Sequence, residues 1–324
     1  MTTEFPRPRV VVSKCLGFAA CRYNGQTIPD EFVASLEPHV DFLPVCPEVE
    51  IGLGVPRDPV RVVLLEGEPR LVQPATGRDV TEEMRAFAHA FLSRLDAVDG
   101  FLLKGRSPSC GIQEVKIYPP GEKVAPVGKG EGFFGRAVKE RFPTWPVEEE
   151  GRLKNFRLRE HFLIRLFTLA RFRQVRTAGK MGDLVRFHTD HKFLLMAYHQ
   201  ARLRALGRIV ANLEERPPSE VLAAYEEHLR AALAAPPRQS SAVNVLLHAL
   251  GYVRKGLSAE EKAYFLDTLA QYRAGRVPLS VPVGILRAWI VRFGEPYLSR
   301  QHFFAPYPQD LITITDSGKG RDLN

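Results

Sequence analysis

The sequence has few cysteines and no long apolar stretch. Only four of its 324 residues are Cys, and all four lie in the first third of the chain. A chain of this length with so few cysteines is not held together by a disulfide framework. No uninterrupted apolar run reaches membrane-spanning length, and the opening residues MTTEFPRPR lack the apolar core of a signal peptide. We therefore expect a cytoplasmic protein with no membrane partner and two cores.

Positive charge is scarce in the first half and abundant in the second. Residues 1–150 hold 18 Lys and Arg against 22 Asp and Glu, a net charge of −4, whereas residues 151–324 hold 27 against 15, a net charge of +12. A basic region of this kind is typical of proteins that bind a polyanion such as nucleic acid, although a solvated helix surface gives a similar composition. Both interpretations stay open on charge alone.

Apolar runs alternate with helical patterns throughout residues 1–150. Short strand-like runs occur at 10–12, 40–45 and 98–103, a hairpin pattern covers 60–72, and helices are indicated from Thr81 and over 132–142. Such alternation predicts an α/β fold with a Rossmann-like, mostly parallel sheet that carries helices on both faces.

Three of the strand-like runs are followed by a cysteine. Cys15 is three residues after the first run, Cys46 directly follows the second, and Cys110 lies in the KGRSPSCG loop after the third. Because the carboxyl ends of parallel strands meet at one edge, these thiols are expected to converge. Three thiolates with one open position suit an iron–sulfur cluster or a zinc ion with bound water, while small buried thiols are the alternative. Cys21, inside the first loop, is expected to be a loop or packing thiol.

Two further side chains lie close to these cysteines in sequence. Glu48 is two residues after Cys46, and Ser107 is three residues before Cys110. A carboxylate at the open position can move protons, and a hydroxyl can orient water or substrate. A solvated loop acid and a turn residue before a proline are the structural alternatives for the two.

The sequence of the second half predicts helices. A linking helix is predicted over 151–179 and a basic, all-α domain over 180–324, with Asp183 as an N-cap and a capping box that begins at Ser258. Residues 152–208 contain 14 Lys and Arg but only 3 acids, with aromatic residues between them. His188 and His191 are three apart, which allows a metal pair, core hydrogen bonds or contact with RNA. We expect substrate or RNA contacts from Ser13, Ser109, Arg186, His188, His191 and Lys192.

The motifs SKCLG, CRYNG, PVCPE, GLGVPR and KGRSPSCG together resemble the TudS-type thiouracil desulfidase family over residues 9–150. The resemblance implies a [4Fe-4S] cluster held by Cys15, Cys46 and Cys110, with one open iron that binds the sulfur of a thiolated base. It also implies Glu48 and Ser107 as catalytic residues and leaves Cys21 outside the ligand set.

The segments FHTDHKFLLMAY, ALGRIVA and GYVRKGL resemble the YbgA-like helical domain that is commonly fused behind this module. Such fused proteins are similar to RudS-type desulfidases, which implies conversion of 4-thiouridine in tRNA to uridine with release of sulfide. Desulfidation of free 2-thiouracil or thionucleosides, and a cluster-bearing RNA-binding protein without turnover, are the alternatives.

Overall fold

The computed structural model describes residues 4–121 and 123–312. The outer bounds predicted for the two domains, residues 1 and 324, lie outside this range. Its strands are β1 (Arg9–Ser13), β2 (Asp41–Val45), β3 (Arg61–Leu65), β4 (Glu68–Gln73), β5 (Arg78–Asp79), β6 (Gly100–Leu103), β7 (Val115–Tyr118), β8 (Gly128–Gly130) and β9 (Val147–Glu149). Its helices are α1 (Glu31–Leu36), α2 (Pro47–Glu50), α3 (Thr81–Ser93), α4 (Phe133–Arg141), α5 (Phe156–Ala178), α6 (Met181–Asp190), α7 (Lys192–Tyr198), α8 (Gln200–Ala211), α9 (Pro218–Ala232), α10 (Gln239–Val253), α11 (Ala259–Arg273) and α12 (Ser280–Phe293).

The first sheet has four parallel strands in the order β2-β1-β6-β9. All four residues of β6 are buried, as expected for a strand covered on both faces. The predicted α/β fold with a mostly parallel sheet is therefore confirmed. The parallel order also brings the residues that follow β1, β2 and β6 to the same edge of the sheet.

A second sheet of five strands, in the order β5-β4-β3-β7-β8, has both parallel and antiparallel pairs. Its β3 and β4 form the hairpin that the sequence pattern predicts, with Gly67 in the turn at a φ of +85°. The other strands were not expected, and β8 consists of Gly-Lys-Gly, which has no strand pattern of its own.

The core beside the first sheet is built from helix faces with a regular apolar spacing. In α3, Met84, Ala88 and Leu92 recur every four residues and are all buried. They pack in one cluster with Phe101 of β6 and Phe134 of α4. Because α3 and α4 are fixed on the sheet in this way, the loops at its carboxyl edge have a rigid support.

The chain divides into two compact units, of which the second comprises Arg171–Pro306 and is helical. The capping box at Ser258 is present at the start of α11. The N-cap assigned to Asp183 is wrong: α6 begins at Met181 after Lys180, which puts Asp183 in the first turn, where an acid still suits the helix dipole. No helix in the described residues is long and apolar enough to cross a membrane. The predicted bounds at 150 and 180 stay predictions.

Candidate active site

A cavity of about 360 Å³ opens where the first sheet's strands end. All four cysteines contribute to its wall, together with Ser13, Glu48, Arg57 and Ser107. The residues come from the end of β1, from the segments after β1, β2 and β6, and from the loop before β3. The parallel topology thus places thiols that are far apart in sequence around one space.

The loop that carries Cys110 is held by the start of α4. The amide of Phe133 donates to the Pro108 carbonyl at 3.1 Å, and that of Gly135 donates to the Ser109 carbonyl at 3.0 Å. A Cβ on Gly135 would lie 2.4 Å from the Gly111 carbonyl oxygen, so the backbones can approach this closely only with glycine at that position. The cysteine loop is therefore fixed before any ligand binds.

The cysteines are not disulfide-bonded, and three of them, Cys21, Cys46 and Cys110, are buried. Burial, followed by the nearby Cys46, raises the pKa of Cys15 to about 11. Burial also raises the pKa of Cys110, which a hydrogen bond with Ser13 partly offsets. In the metal-free protein these two thiols are protonated at neutral pH, and a metal group that binds them must displace their protons.

Cys21 lies closer to the other thiols than its position in the first loop suggests. It lines the same cavity, and its carbonyl oxygen is 3.7 Å from Sγ of Cys46. Burial and the neighbouring Cys46 raise the pKa of Cys21 to about 12. The expectation that Cys21 lies outside the ligand set stays a prediction, but its thiol belongs to the wall of the cavity.

Glu48 is held by an arginine and a serine. Nε of Arg57 donates to Oε2 of Glu48 at 3.0 Å, and Nη2 of the same arginine also contacts Oε2. The hydroxyl of Ser109 donates to Oε1 at 2.7 Å. The side chains of Arg57 and Glu48 are only 4% and 13% exposed, so this pair is shielded from solvent, and Glu48 is not a solvated loop acid.

The three serines near the cysteines make different contacts. Ser107 accepts hydrogen bonds from the amides of Ser109 and Cys110 at 3.2 and 3.1 Å, which leaves its hydroxyl hydrogen available. Ser13 accepts from the Lys104 amide at 2.8 Å, which ties β1 to the loop after β6. Ser109 is fully buried against Glu48, so the geometry gives it a role in positioning Glu48 in place of a predicted substrate contact.

The residues predicted to bind RNA in the second unit have mixed surroundings. Arg186 and Lys192 are exposed, whereas Nδ1 of His188 is 3.0 Å from the hydroxyl of Tyr225. His191 is 1% exposed and bonded through Nδ1 to the Phe187 carbonyl at 2.8 Å. The RNA contact expected of His191 is therefore corrected, because its ring lies in the core; contacts by the exposed side chains stay predictions.

The donor set around the cavity fits an iron–sulfur cluster. Thiolates are the ligands that such clusters prefer, and the thiols surround a space instead of meeting at a point. Across residues 4–121 and 123–312, no three His, Cys, Asp or Glu side chains are grouped so as to hold a single metal ion. Cys15, Cys46 and Cys110 stay the predicted ligands of such a cluster, and Cys21 lines the same space.

Two family models match the chain in separate regions. Residues 10–150 match the family described as 2-thiouracil desulfurase. Residues 192–308 match a family of unknown function, DUF1722. The first match covers both sheets except Arg9, the first residue of β1, and includes all residues that line the cavity. The second lies within the part of the chain where the structure is helical.

Similar proteins cover the two regions separately. YbbK of Bacillus subtilis, an uncharacterized protein, is 35% identical over 111 residues, which are 32% of this chain and 72% of YbbK. YbgA of Escherichia coli, also uncharacterized, is 27% identical over 158 residues, 48% of this chain and 93% of YbgA. A solved [4Fe-4S]-dependent thiouracil desulfidase, TudS, is 32% identical with a TM-score of 0.37, covering 45% of this chain and 93% of its own. The chain belongs to the 2-thiouracil desulfurase family of desulfidases and carries a YbgA-like region behind that domain.

Proposed function

We propose that the protein is a [4Fe-4S]-dependent desulfidase that converts thiouridine, specifically 4-thiouridine in tRNA, to uridine and releases sulfide. The observation that carries this proposal is the joint placement of four thiols and a fixed carboxylate around one cavity. The basic composition of residues 151–324 supports a polyanionic substrate. The family assignment supports the removal of sulfur from a thiolated uracil ring.

The reaction exchanges the exocyclic thiocarbonyl sulfur for an oxygen from water and needs no net change in oxidation state: C=S and H₂O give C=O and H₂S. A cluster held by Cys15, Cys46 and Cys110 would supply an iron with an open position for the thiocarbonyl sulfur. The residues of this chain then have to place water beside the ring carbon and move its protons. Glu48 is the carboxylate in the cavity wall, and we assign it that step.

The hydrogen bonds of Glu48 leave its carboxylate able to accept a proton. A carboxylate offers about four lone-pair sites, and Arg57 occupies two of them while Ser109 occupies a third. One site therefore remains to accept a proton from water, in an orientation that the other bonds define. Ser107, whose hydroxyl hydrogen is not used by the loop, can donate to the carbonyl oxygen of the base or to the water.

Free 2-thiouracil is the second candidate substrate, because the matched family is named for it. A neutral base needs no basic surface, so the charge of the second half favours RNA. A cluster protein that binds RNA without turnover is the third candidate. In such a protein the bonds of Glu48 would have only a structural role, whereas the lone pair that they leave unused suits a catalytic carboxylate.

The test is an anaerobic assay of the reconstituted full-length protein with tRNA that contains 4-thiouridine and, separately, with free thiouracil. We expect release of sulfide and loss of thiocarbonyl absorbance with the tRNA. Turnover of the free base alone would refute the RNA substrate, and no turnover of either would refute the enzyme.

Glu48→Gln separates the chemical step from binding of the cluster. The substitution keeps the shape of the side chain and its acceptor for Ser109, so cluster absorbance should be retained. We expect sulfide release to fall at least about 100-fold, because general acid–base catalysis contributes factors of that size. An active Glu48→Gln variant with normal cluster content would show that another group moves the proton.

A further inference from the structure

α12 is apolar on its exposed side as well as on its buried side. Only two of its 14 residues are charged, and both are arginines, Arg287 and Arg292. Its buried side packs into the second unit through Pro282, Leu286, Trp289 and Ile290. Its exposed side carries apolar residues at intervals of three, four and three: Val281, Gly284, Ala288 and Val291. Helices that are apolar on every side are normally covered by protein, so this exposed side indicates a contact surface.

α11 has an exposed side of the same kind and lies next to α12. Its exposed apolar residues recur at intervals of four, three and four: Ala259, Ala263, Leu266 and Ala270. The two helices contact each other, with the ring centres of Phe265 and Trp289 5.4 Å apart, and both also contact α10. The short connection over residues 274–279 makes them antiparallel neighbours. We call the exposed apolar residues of the two helices the α11–α12 face.

The α11–α12 face is large enough to bind a partner reversibly. Helices of 15 and 14 residues are about 22 Å long, and two of them side by side are about 20 Å wide, which gives a face of about 440 Å². Leu266 is 49% exposed and Val291 is 78% exposed, so the face offers large side chains as well as alanines. Exposed apolar patches of several hundred Å² mark interaction sites. Because interfaces of this size belong to the small class, we expect a reversible association.

The charges beside the face indicate which partner it fits. Both charged residues of α12 are basic, whereas α11 has three acids against two bases, with Glu260 and Asp267 on its exposed side. Asp267 is the ninth of the 15 residues of α11, and Arg287 is the eighth of the 14 residues of α12. A twofold axis parallel to the helices would lay α11 of each copy antiparallel on α12 of the other, with Asp267 near Arg287 at both contacts. Contact of α12 with α12 would instead bring arginines together.

We propose that the α11–α12 face binds a second copy of this chain, in a twofold-symmetric contact that packs α11 of each copy on α12 of the other. The contact buries Leu266 and Val291 of both copies and places Asp267 of one beside Arg287 of the other. This inference goes beyond the proposed function and does not depend on it, because it concerns neither the cavity nor the substrate.

The experiment is sedimentation velocity of the reconstituted full-length protein over a range of about 1 to 100 μM. We expect a monomer–dimer equilibrium with a Kd in the micromolar range, as suits a small interface. Val291→Arg places a charge at the centre of the contact and should raise the Kd at least about tenfold. The side chain of Val291 is exposed in the single chain, so far-UV circular dichroism should stay native. Val185→Arg, at a position of α6 that is 46% exposed, is the matched control and should leave the Kd unchanged.

A charge exchange tests which helices meet. Asp267→Arg and Arg287→Asp should each weaken the dimer several-fold, because each places like charges opposite one another across the contact. The double variant restores opposite charges at both contacts, so its Kd should return towards the native value. Far-UV circular dichroism and thermal unfolding of each variant separate loss of the dimer from loss of the fold.

A single monomeric species at every concentration would overturn the proposal, and slow hydrogen exchange along α11 and α12 in that monomer would assign the face to another partner. A dimer that Val291→Arg does not weaken would place the contact elsewhere on the chain and would also overturn it. If Val291→Arg weakens the dimer but the charge exchange restores nothing, the pairing of α11 with α12 is wrong. Sulfide release enters none of these outcomes, so the proposed function and this inference fail separately.

Discussion

The ion pair between Arg57 and Glu48 should be one of the larger single contributions to the stability of the first unit. Arg57 donates to Glu48 through Nε and Nη2, and through Nη1 to the carbonyls of Cys21 at 3.1 Å and Gly54 at 2.8 Å. Arg57→Met keeps much of the volume and removes every one of these bonds. It leaves the Glu48 carboxylate without its cation in a site where it is 13% exposed.

The expected cost follows from the burial of both partners. Removal of one partner from a buried ion pair costs about 3–5 kcal/mol, and we take about 3 kcal/mol for Arg57→Met because the cavity gives Glu48 some access to solvent. Glu48→Gln should cost about 2 kcal/mol, since Arg57 keeps its carbonyl partners. The double variant should cost about as much as Arg57→Met alone, which gives a coupling energy of about 2 kcal/mol.

The assay is urea unfolding of the metal-free protein, followed by tryptophan fluorescence. The chain has two tryptophans, Trp145 in the first unit and Trp289 in the second. A Trp289→Phe background makes Trp145 the sole reporter of the unit that contains the ion pair. The same cycle on the exposed pair Arg85–Glu82, whose side chains are 50% and 67% exposed, should give no more than about 0.5 kcal/mol. If the losses of unfolding free energy in Arg57→Met and Glu48→Gln added up to the loss in the double variant, the two side chains would not be coupled and the prediction would be refuted.

Two further predictions concern the cluster and the second unit. Cys110→Ala should abolish retention of iron after anaerobic reconstitution while far-UV circular dichroism stays native; retained iron would exclude Cys110 as a ligand. Burial, followed by the charge of Arg171, lowers the pKa of His302 to about 3. The neutral ring is favoured by folding, so its contribution is complete above about pH 6.5 and is lost as the pH falls towards 3. His302→Gln should flatten this acid dependence, whereas the exposed His248→Gln should not; equal curves for all three proteins would contradict the assignment.

The convergence of the cysteines could be predicted because it depends on topology alone. Apolar runs that alternate with helices give parallel strands, and parallel strands end at one edge. The second sheet could not be predicted in the same way. Its β8 is a glycine-rich segment that forms a strand only because β7 offers hydrogen-bond partners, with Lys116 opposite Lys129 in the register. This pairing depends on contacts between segments that are distant in the fold, and no pattern in the local sequence predicts it.

The partners of Glu48 show a second limit of sequence reasoning. Ser109 lies 61 residues from Glu48, and nothing in either segment indicates that their side chains meet. Spacing favoured Ser107 as the serine beside the open position, yet the bond to the carboxylate comes from Ser109 while Ser107 caps the loop backbone. Both serines occupy one tight loop, and only the folded backbone decides which of them faces Glu48.

Arg57 holds two segments of the cavity wall, one through its side chain and one through its backbone. Its side chain fixes Glu48, and its backbone amide fixes the turn that carries Arg22 and Tyr23. A substitution that only removed a proton-transfer partner would lower turnover equally for a base and for a nucleotide. Arg57→Met removes the side-chain bonds to Glu48 but keeps this backbone amide, so turnover of thiolated nucleotides and of free thiouracil should fall by similar factors.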